Sequence, residues 1–396
     1  MNRKISAHYV FPVNAPPIRN GIIEIDKNGK VLQIINPGKN IKEQAGVEFY
    51  NGILVPGFVN THCHLELSHL KKQIPQHTGL HNFVRYVSKF RNTDEEIIRK
   101  AAEKADWEMQ KNGIVAVGDI SNSAISIKQK QKSKIEYHSF IEIFSLNSDL
   151  AEEKFFEGKK LLTDFYNAGL KASIVPHAPY SISKKLFDLL KKQMQKTALP
   201  VSMHNQETAS ENDLFINKSG DLYETFRLWG IEFKDFYPTG KNSLVSVIDY
   251  LPEKNNCLLV HNTFTNKEDI EQANTKLKNI YWTFCPNANL YIEKRLPDIS
   301  LFYNKQQKCC IGTDSLASNN QLSVLEEIKS IQKYFQEIPL QELIKWATLN
   351  GAEALNLQNK FGSFEQEKTP GINLITGIDY KNMRLTDKSK VKNLFV

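Results

Sequence analysis

"GIVAVGDIS", Gly113 to Ser121, is an almost unbroken apolar run, and it follows a helix-period segment, "TDEEIIRKAAEKADWEMQKNG" (93–113), with a polar start, an apolar stripe and a closing glycine. A strand that is apolar on both faces has to be covered on both faces, which is the pattern of a parallel sheet clothed by helices. The same alternation recurs along the chain. Further runs are "IEYHSFIEIFS" (135–145), "LKASIVPHAPYS" (170–181), "LPVSMHNQE" (199–207), "NCLLVHNTF" (256–264), "NIYWTFCPNAN" (279–289) and "KCCIGTDS" (308–315), and with "ILVPGFVNTHCH" (53–64) they number eight. Eight strand–helix alternations close most simply on themselves. The expected fold class is therefore α/β, a (β/α)8 TIM barrel over residues 53–361.

Two stretches interrupt the rhythm. Thr208 to Asn255 is a long connection rich in aromatic residues (Phe215, Tyr223, Phe226, Trp229, Phe233, Phe236), expected to form extra helices walling one side of the barrel mouth. Residues 1–52 carry a hairpin signature around Lys27-Asn28-Gly29, and the strand-like runs 372–378 and 391–396 share its character. Residues 1–52 and 362–396 are expected to build one small β-sandwich domain from both chain ends.

Composition bounds the function. With 396 residues, 41% hydrophobic and 24% charged, the chain can bury a large core. The net charge of +7 comes from lysines scattered along helix-like segments, and the densest basic run, Lys128–Lys134, lacks the interleaved aromatics of a nucleic-acid site. No nucleic-acid partner is expected. Five cysteines without C-x-x-C spacing read as buried thiols in a reducing compartment. The N-terminus has no signal-peptide stretch and no segment approaches a membrane span, so no membrane partner and a cytoplasmic location are expected.

In a TIM barrel the site is built at the C-terminal ends of the strands. His62 and His64 end the first, His204 the fifth, His261 the sixth and Asp314 the eighth. Being two apart on a strand, His62 and His64 point to one side while Cys63 points to the other. Three neutral imidazoles and one carboxylate around a divalent ion with an open position can activate water, because bound Zn²⁺ lowers the pKa of its water to about 7. The expected ligands are His62, His64, His204 and Asp314, with His261 beside them as a group orienting the nucleophile. Glu207, three residues after His204, is placed to carry a proton from water to a leaving nitrogen, although an acid near a helix start also complements the dipole.

The motifs "LVPGFVNTHCHLE", "HNQE", "LVHNTF", "CPNAN", "IGTDSLASNNQLSVLEEI" and "ATLNGAEALNL", in this order, resemble the amidohydrolase superfamily over essentially the whole chain. They are most similar to its mononuclear deaminase branch, which acts on cytosine, guanine and S-adenosylhomocysteine, and the wording "HCHLELSHL" is most like that of the aminofutalosine deaminases. The resemblance implies one Zn²⁺ or Fe²⁺, a small-molecule substrate, a homodimer, and hydrolytic removal of an amino group from a purine-like nucleoside or N-heterocycle. It carries over the same four ligands, with Glu207 as proton shuttle and His261 beside the attacking water; Asp314 has a catalytic role as well as a ligand role. His177 corresponds to a histidine that contacts the purine, or else simply bonds a neighbouring loop.

Glu66 continues the parity of His62 and His64 and is expected at the mouth with His69, to bind ribose hydroxyls or cap a loop. Lys71, Lys72, His77, His81 and Arg85 would make a positive mouth suited to a carboxylate-bearing substrate, or point to solvent. Two alternatives to deamination are hydrolysis of another bond, such as the C–Cl bond of a triazine, and a non-catalytic scaffold. Retention of every ligand-type residue together with Glu207 disfavours the scaffold.

Overall fold

The computed structural model describes residues 2–38, 46–231 and 233–395. All eight expected strands are present: Phe58–Cys63, Ile114–Ser121, Glu136–Ile143, Lys171–Pro176, Val201–Asn205, Asn256–His261, Asn279–Phe284 and Cys309–Ile311. They pair in parallel as two quartets, strands one to four and strands five to eight. Parallel pairing buries both faces of each strand, and every residue of the second strand is buried. The quartets meet at two seams. At one, the backbone N–H of His204 donates to the carbonyl of His177 at 2.9 Å; at the other, Thr313 and Asp314 donate to the carbonyl of His62 at 3.0 and 3.1 Å.

The intervening helices follow the expected segments. Glu95–Lys111 starts on Asp94, whose side chain accepts from the N–H of Glu96, and ends before Gly113, which adopts φ +76°. Ala151–Asn167 likewise ends before Gly169 at φ +75°. The long connection does form helices, Ala209–Asn217, Asp221–Leu228 and Ser243–Val247, packed with Phe215, Phe226 and Phe233 inward.

Both chain ends join in one mixed seven-stranded sheet. Its pairing order is Arg384–Phe395, Ile372–Asp379, Val47–Pro56, Arg3–Val10, Ile22–Ile25 and Val31–Ile35, with Ile18–Arg19 beside Arg3–Val10. The hairpin falls where Lys27-Asn28-Gly29 placed it, with Gly29 at φ +79°. The sheet has an apolar cluster of its own, including Ile5, Ile23, Ile25, Leu54 and Leu374. Val47–Pro56 runs directly into the first barrel strand through Gly57, where an added Cβ would stand 2.3 Å from Val115. Such a close approach leaves room only for glycine.

The basic run 128–134 is not wholly a solvated face. Helix Ile127–Lys132 turns Lys130 inward, where its ammonium lies 2.6 Å from Asp119 with both side chains fully buried. Lys130 also donates to Ser121 and Ser139 at 2.8 Å each, and Asp119 accepts from the backbone N–H of Leu65 at 2.8 Å. The pair thus braces the residue that follows His64. Removing one partner of a buried pair strands the other charge. Lys130→Met is expected to lower stability by about 3–5 kcal/mol in urea titrations, and adding Asp119→Asn should restore part of that loss.

Candidate active site

Four side chains from three strand ends converge. His62 and His64 approach with their Nε2 atoms 3.2 Å apart, and His64 Nε2 lies 3.3 Å from His204 Nε2. Asp314 Oδ1 is 3.4 Å from His64 Nε2 and 3.6 Å from His62 Nε2. Cys63 faces the other way into the apolar core, as strand parity requires. Neutral imidazoles have one N–H each, and that of His204 is engaged through Nδ1 with the carbonyl of His177 at 2.9 Å. Its Nε2 lone pair therefore faces the other rings.

This donor set fits a divalent ion. Tetrahedral Zn–N bonds of about 2.0–2.1 Å put ligand nitrogens about 3.4 Å apart, close to the observed spacing. Protonation agrees. Burial pulls His64 well below its ordinary range and His204 down to about 4, so both are neutral at cellular pH. Burial alone would raise Asp314, but the His62 hydrogen bond and the nearby His64 and His261 outweigh it and hold the carboxyl well below its usual range. Neutral imidazoles and an ionised carboxylate are the forms that bind metal.

Glu207 and His261 stand beside this set. Glu207 Oε1 is 3.6 Å from His261 Nε2, and both side chains are buried. Burial, reinforced by the charges of Asp314, Glu293 and Glu211, pushes the Glu207 carboxyl well above its ordinary value. On its other edge, His261 Nδ1 lies 3.4 Å from Asn289 of the "CPNAN" segment.

A cavity of about 260 Å³ opens above these groups. His64, His177, His204, Glu207, His261 and Asp314 form its floor and polar side, while Phe83, Val84, Tyr180, Phe226 and Trp229 supply apolar walls. Phe226 and Trp229 come from the long connection, which does wall the mouth. A larger groove of about 780 Å³, near Lys329 and Arg384, is lined by His77 of the expected basic mouth but by none of the expected metal ligands, nor by Glu207 or His261.

Several expected substrate contacts lie elsewhere. The first strand ends at Cys63 and residues Leu65–Leu70 form a 3-10 turn, so strand parity does not reach Glu66. Glu66 instead accepts from the N–H of Asn122 at 3.2 Å and the hydroxyl of Ser126 at 3.3 Å, capping the loop after the second strand. His69 turns its Nδ1 to the carbonyl of Glu66. Neither lines the cavity. Helix Leu80–Phe90 presents Leu80, Phe83, Val84, Val87 and Ser88, with Arg91 at its end, at helical spacing. Arg85 falls off that face and contacts Asn82. Lys71 pairs with Glu108 and His81 with Asp221, so the expected basic mouth is not assembled over the cavity.

His177 does line the cavity, its Nε2 3.5 Å from Glu142 Oε1. Burial and the charges of Arg91 and His62 pull it down to about 3. Sequence reasoning did not single out Glu142, Arg91 or Asn122. The available signals were the end of the third run for Glu142 and the 80-84-87-91 spacing for Arg91.

Residues 53–396 match the amidohydrolase family model. The chain belongs to the amidohydrolase family. An adenosine deaminase of Helicobacter pylori is 29% identical over 331 residues, covering 81% of this chain and 78% of its own. Among solved structures, the H. pylori aminofutalosine deaminase with methylthio-coformycin superposes with TM-score 0.78 at 22% identity, over 94% of this chain and 92% of that one. A Xanthomonas campestris adenosine deaminase with bound zinc gives TM-score 0.73 at 18% identity, over 96% and 86%. Among the described residues of this amidohydrolase no helix is long and apolar enough to cross a membrane. The purified amidohydrolase, after dialysis, is expected to retain about one equivalent of divalent metal by elemental analysis, and His62→Ala/His64→Ala less than about a tenth of that.

Proposed function

We propose that this amidohydrolase is a zinc-dependent aminohydrolase that releases ammonia from an adenine-type nucleoside. The observation that carries the reading is the placement of Glu207: a buried acid with a raised affinity for protons, beside His261, on the rim of a donor set suited to one metal ion. The names of the relatives, deaminases of adenosine and 5'-deoxyadenosine, support the substrate class.

His62, His64, His204 and Asp314 would hold the ion, and when bound it supplies Lewis acidity that lets a water molecule ionise near neutral pH. Glu207, protonated at the outset, gives its proton to the ring nitrogen next to the carbon under attack as the oxygen adds, then takes the water's two protons in turn, passing the first to the departing nitrogen and keeping the second, so that ammonia leaves, a carbonyl remains on the ring and the acid is restored. His261, fixed by Asn289 on its far edge, holds the nucleophilic oxygen in line with the carbon under attack. The apolar walls exclude bulk water and stack against the ring faces, which favours a flat heterocycle over a peptide.

Loss of chloride from a triazine needs no protonation of the leaving group, so a buried proton carrier is the feature that favours nitrogen over halogen. The reading also keeps the enzyme in a reducing cytoplasm, since all five cysteines are buried and unpaired.

Ammonia release from metal-loaded enzyme is the test, against adenosine, 5'-deoxyadenosine, methylthioadenosine, aminofutalosine, guanine and cytosine. Turnover of an adenine nucleoside is expected, and Glu207→Gln should lower kcat by about 10²- to 10⁴-fold with metal content intact. Unchanged turnover in that variant would remove Glu207 from the proton path. Arg85→Ala should leave kcat/KM within about twofold, whereas Arg91→Ala, at the cavity wall, should raise KM by roughly tenfold.

A further inference from the structure

A buried carboxylate and a partly exposed histidine face each other in the cavity wall. Glu142 ends the third strand, 8% exposed, and its Oε1 has no hydrogen-bond partner. Its Oε2 is steadied by the amide of Asn122 at 3.4 Å, which also donates to the Glu142 carbonyl at 3.3 Å. His177 ends the fourth strand. Its Nδ1 is 2.7 Å from the hydroxyl of Ser181, and that hydroxyl donates to the carbonyl of Ala178 at 3.0 Å. A hydroxyl has one proton to give, so the short contact to His177 is made by a proton on Nδ1. Nε2 is then a bare lone pair, 3.5 Å from Glu142 Oε1.

The buried Glu142 oxygen left without a donor is costly, and a ligand that brings two adjacent donors, one to it and one to the neighbouring Nε2, recovers the loss. A second metal ion is the weaker occupant. His204 completes a possible three-ligand group with Glu142 and His177, but its Nε2 is already directed at His64 and its Nδ1 at the carbonyl of His177.

We propose that Glu142 and His177 form the subsite that accepts the vicinal hydroxyls of a ribonucleoside. The proposal rests on the aminohydrolase reading. In an adenine nucleoside the ring nitrogens N1, N3 and N7 are acceptors, and the amino group is consumed at the reacting centre. The remaining donors are on the sugar. A carboxylate oxygen paired with an imidazole nitrogen takes one hydroxyl each, as carboxylates do at the ribose of dinucleotides. Glu142 is thus a determinant of specificity, separating ribonucleosides from deoxyribonucleosides and free bases.

The experiment compares adenosine, 2'-deoxyadenosine, 2',3'-dideoxyadenosine and guanine on metal-loaded enzyme. Wild-type kcat/KM is expected to fall roughly 10- to 100-fold from adenosine to dideoxyadenosine, the loss of hydrogen bonds to a charged group. Glu142→Gln should lower kcat/KM for adenosine by a similar factor, mostly through KM, while changing dideoxyadenosine by less than about threefold and leaving metal content intact. Equal wild-type rates on adenosine and dideoxyadenosine would overturn the proposal, as would a uniform loss across substrates in the variant. A wild-type preference for guanine that Glu142→Gln abolished would reassign the pair to the ring edge, and so also overturn it. Calorimetry on metal-loaded Glu207→Gln separates this from failure of the parent reading. If no nucleoside yields ammonia, the aminohydrolase reading falls; tighter binding of adenosine than of dideoxyadenosine still supports the subsite, and equal or absent binding overturns it.

Discussion

Barrel closure and ligand convergence are one event in this molecule. The seam between the last and first strands is made where the N–H groups of Thr313 and Asp314 meet the carbonyl of His62, and the side chain of Asn60 grips Thr313 from both sides, donating to its Oγ1 at 2.8 Å and accepting from its N–H at 3.0 Å. Gly312 lets the strands approach, since a Cβ there would stand 2.8 Å from that of His62. The opposite seam joins His204 to His177. Both stitches between the quartets therefore run through candidate site residues, so the distances among the imidazoles are set by backbone hydrogen bonds rather than by side-chain rotamers alone. That is the rigidity a metal site needs, because ligands free to relax apart would hold an ion weakly.

Placing so much ionisable chemistry in the interior has an electrostatic consequence. The charge of Asp314 helps to raise the proton affinity of Glu207, and the two settle on opposite sides of their ordinary values. Asp314 is surrounded by His62, His64 and His261 and accepts from the hydroxyl of Ser318, whereas Glu207 is raised by burial first and then by the charges of Asp314, Glu293 and Glu211. Environment divides one residue class into a ligand and a proton carrier, the division expected when acid and base must coexist at one pH. The same cause makes His64 and His204 good ligands, because burial that suppresses imidazolium leaves lone pairs.

The parts of the fold that were legible in the sequence were those governed by periodicity. Eight apolar runs became eight strands, Lys27-Asn28-Gly29 became a turn, and the parity of His62, Cys63 and His64 survived because those residues sit at a strand end. Parity failed at Glu66 one turn later, once Leu65–Leu70 wound into a 3-10 helix, and no local signal marks that change. Arg85 failed for the converse reason: the helical spacing was present, but its charge outweighed its position on the face. Lys130 was illegible because a lysine in a basic run looks solvated unless its partner, eleven residues earlier on a different element, is known. Glu142 was hidden in an apolar strand whose period gives no reason to notice one carboxylate.

Backbone conformation was also beyond the reach of pattern. Gln206, His261, Asn262 and Asp314 all adopt φ between +46° and +74°, at the ends of strands five, six and eight. For residues with a Cβ this conformation costs roughly 1 kcal/mol each, and it persists only where the surroundings over-determine it. Here they do. Asn262 donates to the carbonyls of Leu259 and Thr283, its N–H reaches the carbonyl of Asn205, and Asn205 donates to its side-chain oxygen. Gln206 is held by Thr265 at 2.6 Å and by Asp269 at 2.9 Å. This buried amide network lies directly behind His204, Glu207 and His261 and offsets the strain that turns them toward the cavity. A strand continued in extended geometry would carry those side chains past the barrel axis on alternating faces; the left-handed residues end the alternation and bring successive groups to the same side. The chemistry of the rim thus depends on amides that touch neither metal nor substrate, and their substitution should move the site before it unfolds the barrel.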